Sequence, residues 1–313
     1  MPQFSSRWNL VKKYKNIALG IFVFSIGLFK KVIIADTFAL WANYGFDQSP
    51  ILSFWEAWAT SLSYTFELYF DFSGYTDMAI GVALLFNIKL PINFNSPYKS
   101  LDIQAFWRRW HITLSRFLKD YIYIPLGGNR KGTFRTYTNL LITFLLGGIW
   151  HGAGWTFVFW GFLHGLALVI HRIWAQIGFS MPRVLAWFIT FNFLNLSWVF
   201  FRAKSWDDAL KVLYGMLHLS EIGETKKFIH ISPQLVNPLS DYMKWSTASY
   251  TYLIILLGFI LVLGFQNSNQ LSKKFEAMKS VPLSWVVFTI LLLGISLIFI
   301  LANTHSKFLY FNF

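Results

Sequence analysis

The chain has 313 residues, of which 55% are hydrophobic and 20% aromatic, and 13% are charged, about half the ~25% charge of an ordinary soluble domain. Too few polar groups remain to cover a water-facing surface, which excludes disordered, coiled-coil and disulfide-scaffold classes. The net charge of +13 does not call for a nucleic-acid partner, because Lys and Arg collect in cytoplasmic loops and Trp and Tyr at bilayer interfaces. With no Cys, thiolate metal sites and a Cys nucleophile are also excluded.

The mean hydropathy is +0.47, and several apolar runs approach the ~20 residues that cross a bilayer. The expected fold is all-α: a polytopic transmembrane helical protein with re-entrant or interfacial helices. In chain order, Ile17 to Phe29 lies between Lys12, Lys13 and Lys15 and the pair Lys30 and Lys31. It reads as a tilted span extended by Val32 to Ile34, or as an interfacial helix. Ile51 to Phe70 and Tyr75 to Ile88 read as a pair joined by Asp71-Phe72-Ser73-Gly74. Leu140 to Trp150, Trp155 to Trp174, Arg183 to Phe201, Tyr250 to Phe265 and Leu283 to Ala302 complete a set of about six to eight membrane helices by the length rule.

Two stretches are too polar to span, residues 95–135 and Lys204 to Trp245. The first carries eight Lys or Arg against two Asp. It mixes Leu101, Trp107, Ile112 and Phe117 with its cations, and Pro97, Pro125 and a Gly127-Gly128-Asn129 turn punctuate it. It reads as a cytoplasmic or interfacial basic segment within one membrane domain covering residues 1–313. No signal peptide is read behind Met1.

Gly-x-Ser-x-Gly and His-Glu-x-x-His are absent from the sequence. In Gly127 to Thr133, Thr133 stands where a phosphate loop needs its Lys, so the run is a basic turn. The informative residues are histidines in apolar surroundings: His111 in Trp110-His111, and His151 in Trp150-His151-Gly152-Ala153-Gly154-Trp155. A neutral imidazole suits proton transfer at neutral pH, and an ionisable group in a membrane segment is by default a functional candidate. The bland alternative is a histidine hydrogen-bonding across helices. Gly152 and Gly154 allow close backbone approach of a substrate or a neighbouring helix.

His164 and His171 share a helix face but have no carboxylate or third His at ligand spacing, so they read as packing and no metal site is expected. His218, His230 and His305 are assigned nothing. Glu67, Asp71 and Asp77 sit inside apolar sequence, where each charge costs about 2.5–3.5 kcal/mol. They are expected to face a polar cavity or pair with Arg, with one of them orienting a histidine or binding an acceptor hydroxyl as the functional alternative.

Taken together, these motifs resemble the membrane-bound O-acyltransferase family, in its bacterial branch of alginate O-acetylation and teichoic-acid D-alanylation proteins. The resemblance rests on Gly27-Leu28-Phe29-Lys30-Lys31-Val32, Tyr69-Phe70-Asp71-Phe72-Ser73-Gly74-Tyr75-Thr76-Asp77, Asn93-Phe94-Asn95-Ser96-Pro97-Tyr98 and Phe106-Trp107-Arg108-Arg109-Trp110-His111. It continues through Asp120 to Gly128, Gly148-Ile149-Trp150-His151-Gly152, Phe200-Phe201-Arg202-Ala203 and the closing Tyr310-Phe311-Asn312-Phe313, with the alginate-type proteins the nearer match. Family members usually begin with further helices, so the chain is expected to correspond to the C-terminal two thirds of a typical member.

The resemblance implies that acetyl groups cross the membrane from a cytoplasmic donor to hydroxyls of an exported, alginate-like polysaccharide. His151 would act as general base and His111 would assist it. Asp71 and Trp150 would contribute to substrate binding, and Arg108 and Arg109 would hold an anionic donor or else anchor the cytoplasmic side. It further implies acetyl-CoA or another acetyl donor as co-substrate with no bound cofactor, a periplasmic acetyltransferase partner, and a place in the bacterial inner membrane. Competing readings are O-acylation of peptidoglycan or teichoic acid, a proton-coupled transporter through His111, His151, Asp71 and Asp77, and a noncatalytic anchor.

Overall fold

The computed structural model describes Gln3, residues 7–218 and residues 247–302. His230, His305, most of the polar stretch ending at Trp245 and the closing Tyr310 to Phe313 lie outside the described residues. The described elements are helical, as expected, with no strand among them. They are α1 (Tyr14–Phe29), α2 (Asp36–Asn43), α3 (Phe54–Leu85), α4 (Ile103–Trp107), α5 (Ile112–Leu118), α6 (Thr133–His151), α7 (Trp155–Ile177), α8 (Arg183–Arg202), α9 (Trp206–Leu217), α10 (Thr247–Gly264), α11 (Ser268–Ala277) and α12 (Leu283–Ala302).

Among the described residues, four helical stretches are long and apolar enough to cross a membrane: Tyr14–Gln48, Trp155–Ile177, Arg183–Arg202 and Leu283–Ala302. A pair bent by 47°, Tyr250–Gly264 with Ser268–Ala277, makes a fifth if it is one broken span. The count falls short of the expected six to eight because two of the expected pieces merge into one charged helix, and because Leu140 to Trp150 lies in α6, which is not among these stretches. Ile51 to Phe70 and Tyr75 to Ile88 are not a hairpin, since α3 runs unbroken through Asp71-Phe72-Ser73-Gly74. The first helix passes Lys30 and Lys31, as the extended-span reading had it, but does not stop at Ile34: it runs through a π-helical turn, Lys30–Ala35, into α2.

Both departures have one physical cause, the pairing of charges that sequence reading treats separately. The chain forms two compact units. The first holds the described residues within Met1–Phe38, Phe66–Asn95 and Phe265–Asn312. There Lys31 Nζ lies 2.6 Å from Asp71 Oδ1 and 2.8 Å from Asp36 Oδ1. Lys30 Nζ donates to Asp77 Oδ2 at 2.6 Å, and Ser268 Oγ donates to Asp77 Oδ1 at 2.9 Å. Lys31, Asp71 and Asp77 are buried, so neither helix has to break to hydrate a charge. The ion-pair partners of Asp71 and Asp77 are lysines, not the arginines expected.

These ion pairs require α1 and α3 to approach closely. A Cβ on Gly27 would come within 2.5 Å of the Gly74 carbonyl oxygen, and one on Gly74 within 2.7 Å of the Gly27 oxygen, so backbone meets backbone where the lysines reach across. An apolar core of Leu19, Phe22, Val23, Ile26, Leu84 and Phe275 closes the same unit. Phe22 lies 5.2 Å from Phe275 and 5.1 Å from Trp285 between ring centroids.

The second unit holds the described residues of Ala39–Thr65 and Ser96–Gly264. Its frame is the α6–α7 hairpin packed on α8. Asn195 of α8 is fully buried and accepts hydrogen bonds from Ser61 Oγ at 2.9 Å and Thr65 Oγ1 at 2.7 Å on α3. Arg202, at the end of α8, donates to Asp47 Oδ2 at 2.5 Å and Asn43 Oδ1 at 2.8 Å, and its guanidinium sits 5.3 Å from the Phe46 ring centroid.

The basic segment 95–135 forms a 3₁₀ turn, Pro97–Lys99, the short helices α4 and α5, a π-helical turn, Lys119–Tyr123, and the first residues of α6. Asp102 caps α4 by accepting the Ala105 N–H at 2.6 Å. Phe106, Trp107 and Trp110 are buried while Arg108, Arg116, Phe117 and Lys119 are exposed, the two-faced pattern of a segment laid along an interface.

Candidate active site

His151 is the last residue of α6, and the hairpin around it is fixed by small residues. The backbones of α6 and α7 meet at Gly148 and Gly161, where an added Cβ would overlap the carbonyl oxygens of Phe157 and Phe144 respectively. Gly152 then leaves the helix in an extended conformation, and Gly154 opens α7. The half-buried imidazole is enclosed edge-to-face by three rings: Trp150 at 4.9 Å, Phe201 at 5.0 Å and Trp160 at 5.3 Å between centroids. Such contacts are each worth about 0.5–1.5 kcal/mol beyond area burial, so the ring has one preferred orientation. Trp150 is 62% exposed, which leaves one side of the cage on the surface.

His111 stands between α4 and α5 with φ +40° and ψ 55°, a left-handed conformation that costs a non-glycine residue about 1–3 kcal/mol and persists only where its surroundings hold it. Here they do. Its carbonyl accepts the Ser115 N–H at 2.9 Å, Ser115 Oγ donates to the Trp110 carbonyl at 3.2 Å, and buried Trp110 stacks on Phe106 at 5.5 Å. The two imidazoles singled out from the sequence, His111 and His151, lie within electrostatic reach of each other.

Burial lowers the His111 pKa from 6.5 to about 4. Between those values the unfolded chain holds a proton that the folded chain lacks. The contribution to stability is therefore full above about pH 6.5 and declines as pH falls toward 4. We expect His111→Asn, which tolerates the left-handed backbone, to lose part of this acid sensitivity. Thermal unfolding of wild type and variant in detergent between pH 7.5 and 4.5 checks it, and parallel curves would remove His111 as the source.

A third histidine belongs to the same aromatic cluster, one that sequence reading set aside as packing. His164 is fully buried, and its ring lies 4.8 Å from Trp160, the ring that also flanks His151. Trp107 Nε1–H donates to His164 Nδ1 at 3.2 Å, and Ser197 Oγ, 3.1 Å from Nε2, gives its own proton to the Leu194 carbonyl at 2.8 Å. His164 must therefore be neutral with its proton on Nε2, donating to Ser197. Both nitrogens are committed, so the packing reading holds for it. Its supposed mate His171 lies 3.7 Å from Asp102 Oδ1 instead, and the described residues contain no group of metal-ligating side chains.

The remaining candidates separate. Asp71 is held by Lys31 in the first unit. Arg108 lines a cavity of about 840 Å³ between the basic segment and the α6–α7 hairpin, whereas Arg109, His111 and His151 are not among its lining residues. Trp150 packs against the His151 ring.

A model of the membrane-bound O-acyltransferase family matches residues 1–205. The chain belongs to that family. Its apolar helices accord with a multi-pass membrane protein. A protein named peptidoglycan O-acetyltransferase from Helicobacter pylori is 54% identical over all of this chain and 60% of its own length. A protein named "Probable alginate O-acetylase AlgI" from Pseudomonas aeruginosa is 47% identical over 71% of this chain and 43% of its own. A teichoic acid D-alanyltransferase from Bacillus subtilis is 31% identical over 45% of this chain and 40% of its own. The chain thus spans less than two thirds of the length of these relatives.

Within this membrane-bound O-acyltransferase chain, Gly152 is the neighbour of His151 that space requires. A Cβ there would lie 2.6 Å from the Phe157 ring, whereas one on Gly154 would make ordinary contact at 3.6 Å. Phe157 packs edge-on against Phe201 at 5.2 Å, and Phe201 faces His151. Gly152→Ala should therefore shift the Phe157 and Phe201 rings beside His151 and lower the unfolding temperature, while Gly154→Ala should be close to neutral. Thermal unfolding of the two variants in one detergent checks this, and equal losses would mean that Gly152 has no special place beside His151.

Proposed function

We propose that the chain is an O-acyltransferase of the bacterial inner membrane that carries acetyl groups to sugar hydroxyls of an exported glycan, with His151 as the general base. The observation that carries the reading is the His151 imidazole at the end of α6, oriented by Trp150, Trp160 and Phe201 and in electrostatic reach of His111. One nitrogen of a neutral imidazole takes the hydroxyl proton as that oxygen attacks the acetyl carbonyl. The tetrahedral intermediate then collapses, the carbonyl bond to the donor breaks, and the proton passes to the leaving donor atom. His111 assists from its constrained turn.

The donor is an acetyl thioester such as acetyl-CoA, and Arg108 and Arg109 supply cations toward its anionic part. A periplasmic acetyltransferase receives or passes on the group. The 54% identity, over all of this chain, to a protein named peptidoglycan O-acetyltransferase favours peptidoglycan as acceptor over the alginate-like polymer that the motifs suggest.

Membranes carrying the chain together with its periplasmic acetyltransferase partner, supplied with acetyl-labelled CoA and either peptidoglycan or alginate, test both levels of the proposal. Base-labile label on peptidoglycan is expected. Label on alginate instead would keep the transfer and change the acceptor, and label on neither would overturn acyl transfer from this donor.

A further inference from the structure

The cavity of about 840 Å³ lies between the basic segment and the α6–α7 hairpin, and its charge is uncompensated. Arg108, Arg116, Lys119, Arg130 and Arg172 all line it, and no Asp or Glu does. None of these five cations forms an ion pair among the described residues, and Arg172 Nε is buried with no hydrogen-bond partner. Like charges gathered in one concavity repel each other by an amount that an anion removes.

The recognition falls to side chains. The N–H groups of Gly127, Gly128 and Arg130 are spent inside their own turn, on the carbonyls of Ile124, Tyr123 and Gly127 at 2.8–3.1 Å, so that turn is no phosphate loop. Guanidinium groups are the donors best matched to phosphate oxygens. The volume lies within the ~300–1,000 Å³ of small-molecule sites, too large for an inorganic ion alone, and Trp107, Phe144 and Leu168 give it an apolar floor.

We propose that this cavity binds a phosphate ester carrying at least two negative charges, supplied either by an anionic lipid headgroup or by a soluble phosphoester. The soluble-phosphoester arm rests on the donor reading above, since Arg108 lines the cavity, whereas the lipid arm stands without it, since neither His111 nor His151 does.

The full chain, purified in neutral detergent, is titrated calorimetrically with two pairs of probes: short-chain phosphatidic acid against phosphatidylcholine of equal chain length, and 3′,5′-ADP against adenosine. At least one charged probe should bind about tenfold or more tightly than its less charged partner, and the binding should weaken as salt is raised. Which pair responds identifies the source. Arg116 and Arg130 are exposed, so the double variant Arg116→Gln/Arg130→Gln should fold, which its thermal unfolding verifies, and bind about tenfold more weakly. Arg172→Gln should weaken binding more than Arg172→Lys, and His151→Ala should bind as wild type does. Charged probes binding no better than their partners, or arginine variants binding like wild type, would overturn the proposal.

Discussion

Under the proposed acyl transfer, replacement of His151 by Ala is expected to lower glycan O-acetylation by about 10²–10⁴-fold, the range of a lost general base, while the protein still inserts and folds. The half-buried ring touches Trp150, Trp160 and Phe201, so its loss removes edge contacts but strands no buried donor. His164→Ala makes the informative contrast. It leaves the buried Trp107 indole N–H without its acceptor, at about 1–3 kcal/mol for a buried group left unsatisfied, while Ser197 Oγ loses one bond but still donates to the Leu194 carbonyl. Its defect should therefore appear first as a lower unfolding temperature. Measuring ester and thermal stability on both variants separates the roles. Normal ester in a folded His151→Ala protein would shift weight to a transport or anchoring function, whereas a collapse of stability in that variant would make His151 structural.

The helical class and most helix positions were legible in the sequence because hydropathy is a one-dimensional property. Trp155, Arg183 and Leu283 open helices where the apolar runs begin. The errors fell where charge interrupts apolar sequence. Lys30, Lys31 and Asp71 looked like boundaries because each is costly alone at membrane depth, and the cancellation depends on partners far along the chain, Asp77 for Lys30 and Asp71 for Lys31. The matching close approach of Gly27 and Gly74 could have signalled it, since small residues on two helices let a cation on one reach a carboxylate on the other.

The candidate site was legible in part for the same reason. His111 and His151 stood out as ionisable groups in apolar surroundings, and the fold brings them within electrostatic reach. His164 carried no such signal, because a histidine satisfied on both nitrogens and one poised for proton transfer look alike until their neighbours are known. The basic cavity was dispersed over α4, α5, the Gly127 turn and α7. In sequence it showed only as an excess of positive charge, equally well explained by membrane orientation.

The ion pairs beneath the first unit make the second large effect. Lys31→Met withdraws the cation from two carboxylates at once, Asp71 at 2.6 Å and Asp36 at 2.8 Å, and breaking a buried pair in this way costs about 3–5 kcal/mol. Asp71→Leu should cost less, because Lys31 keeps Asp36. The double variant Lys31→Met/Asp71→Leu should be more stable than Lys31→Met alone, since a carboxylate whose side chain is 1% exposed no longer has to be buried without its lysine. The recovery should be partial, because Asp36 is still deprived of the ammonium group. Thermal unfolding of the four proteins in one detergent gives the coupling directly, with about 0.5–3 kcal/mol expected for residues in contact. Strict additivity would mean that Lys31 and Asp71 do not depend on each other, and the continuity of α3 through Asp71 would then need another cause.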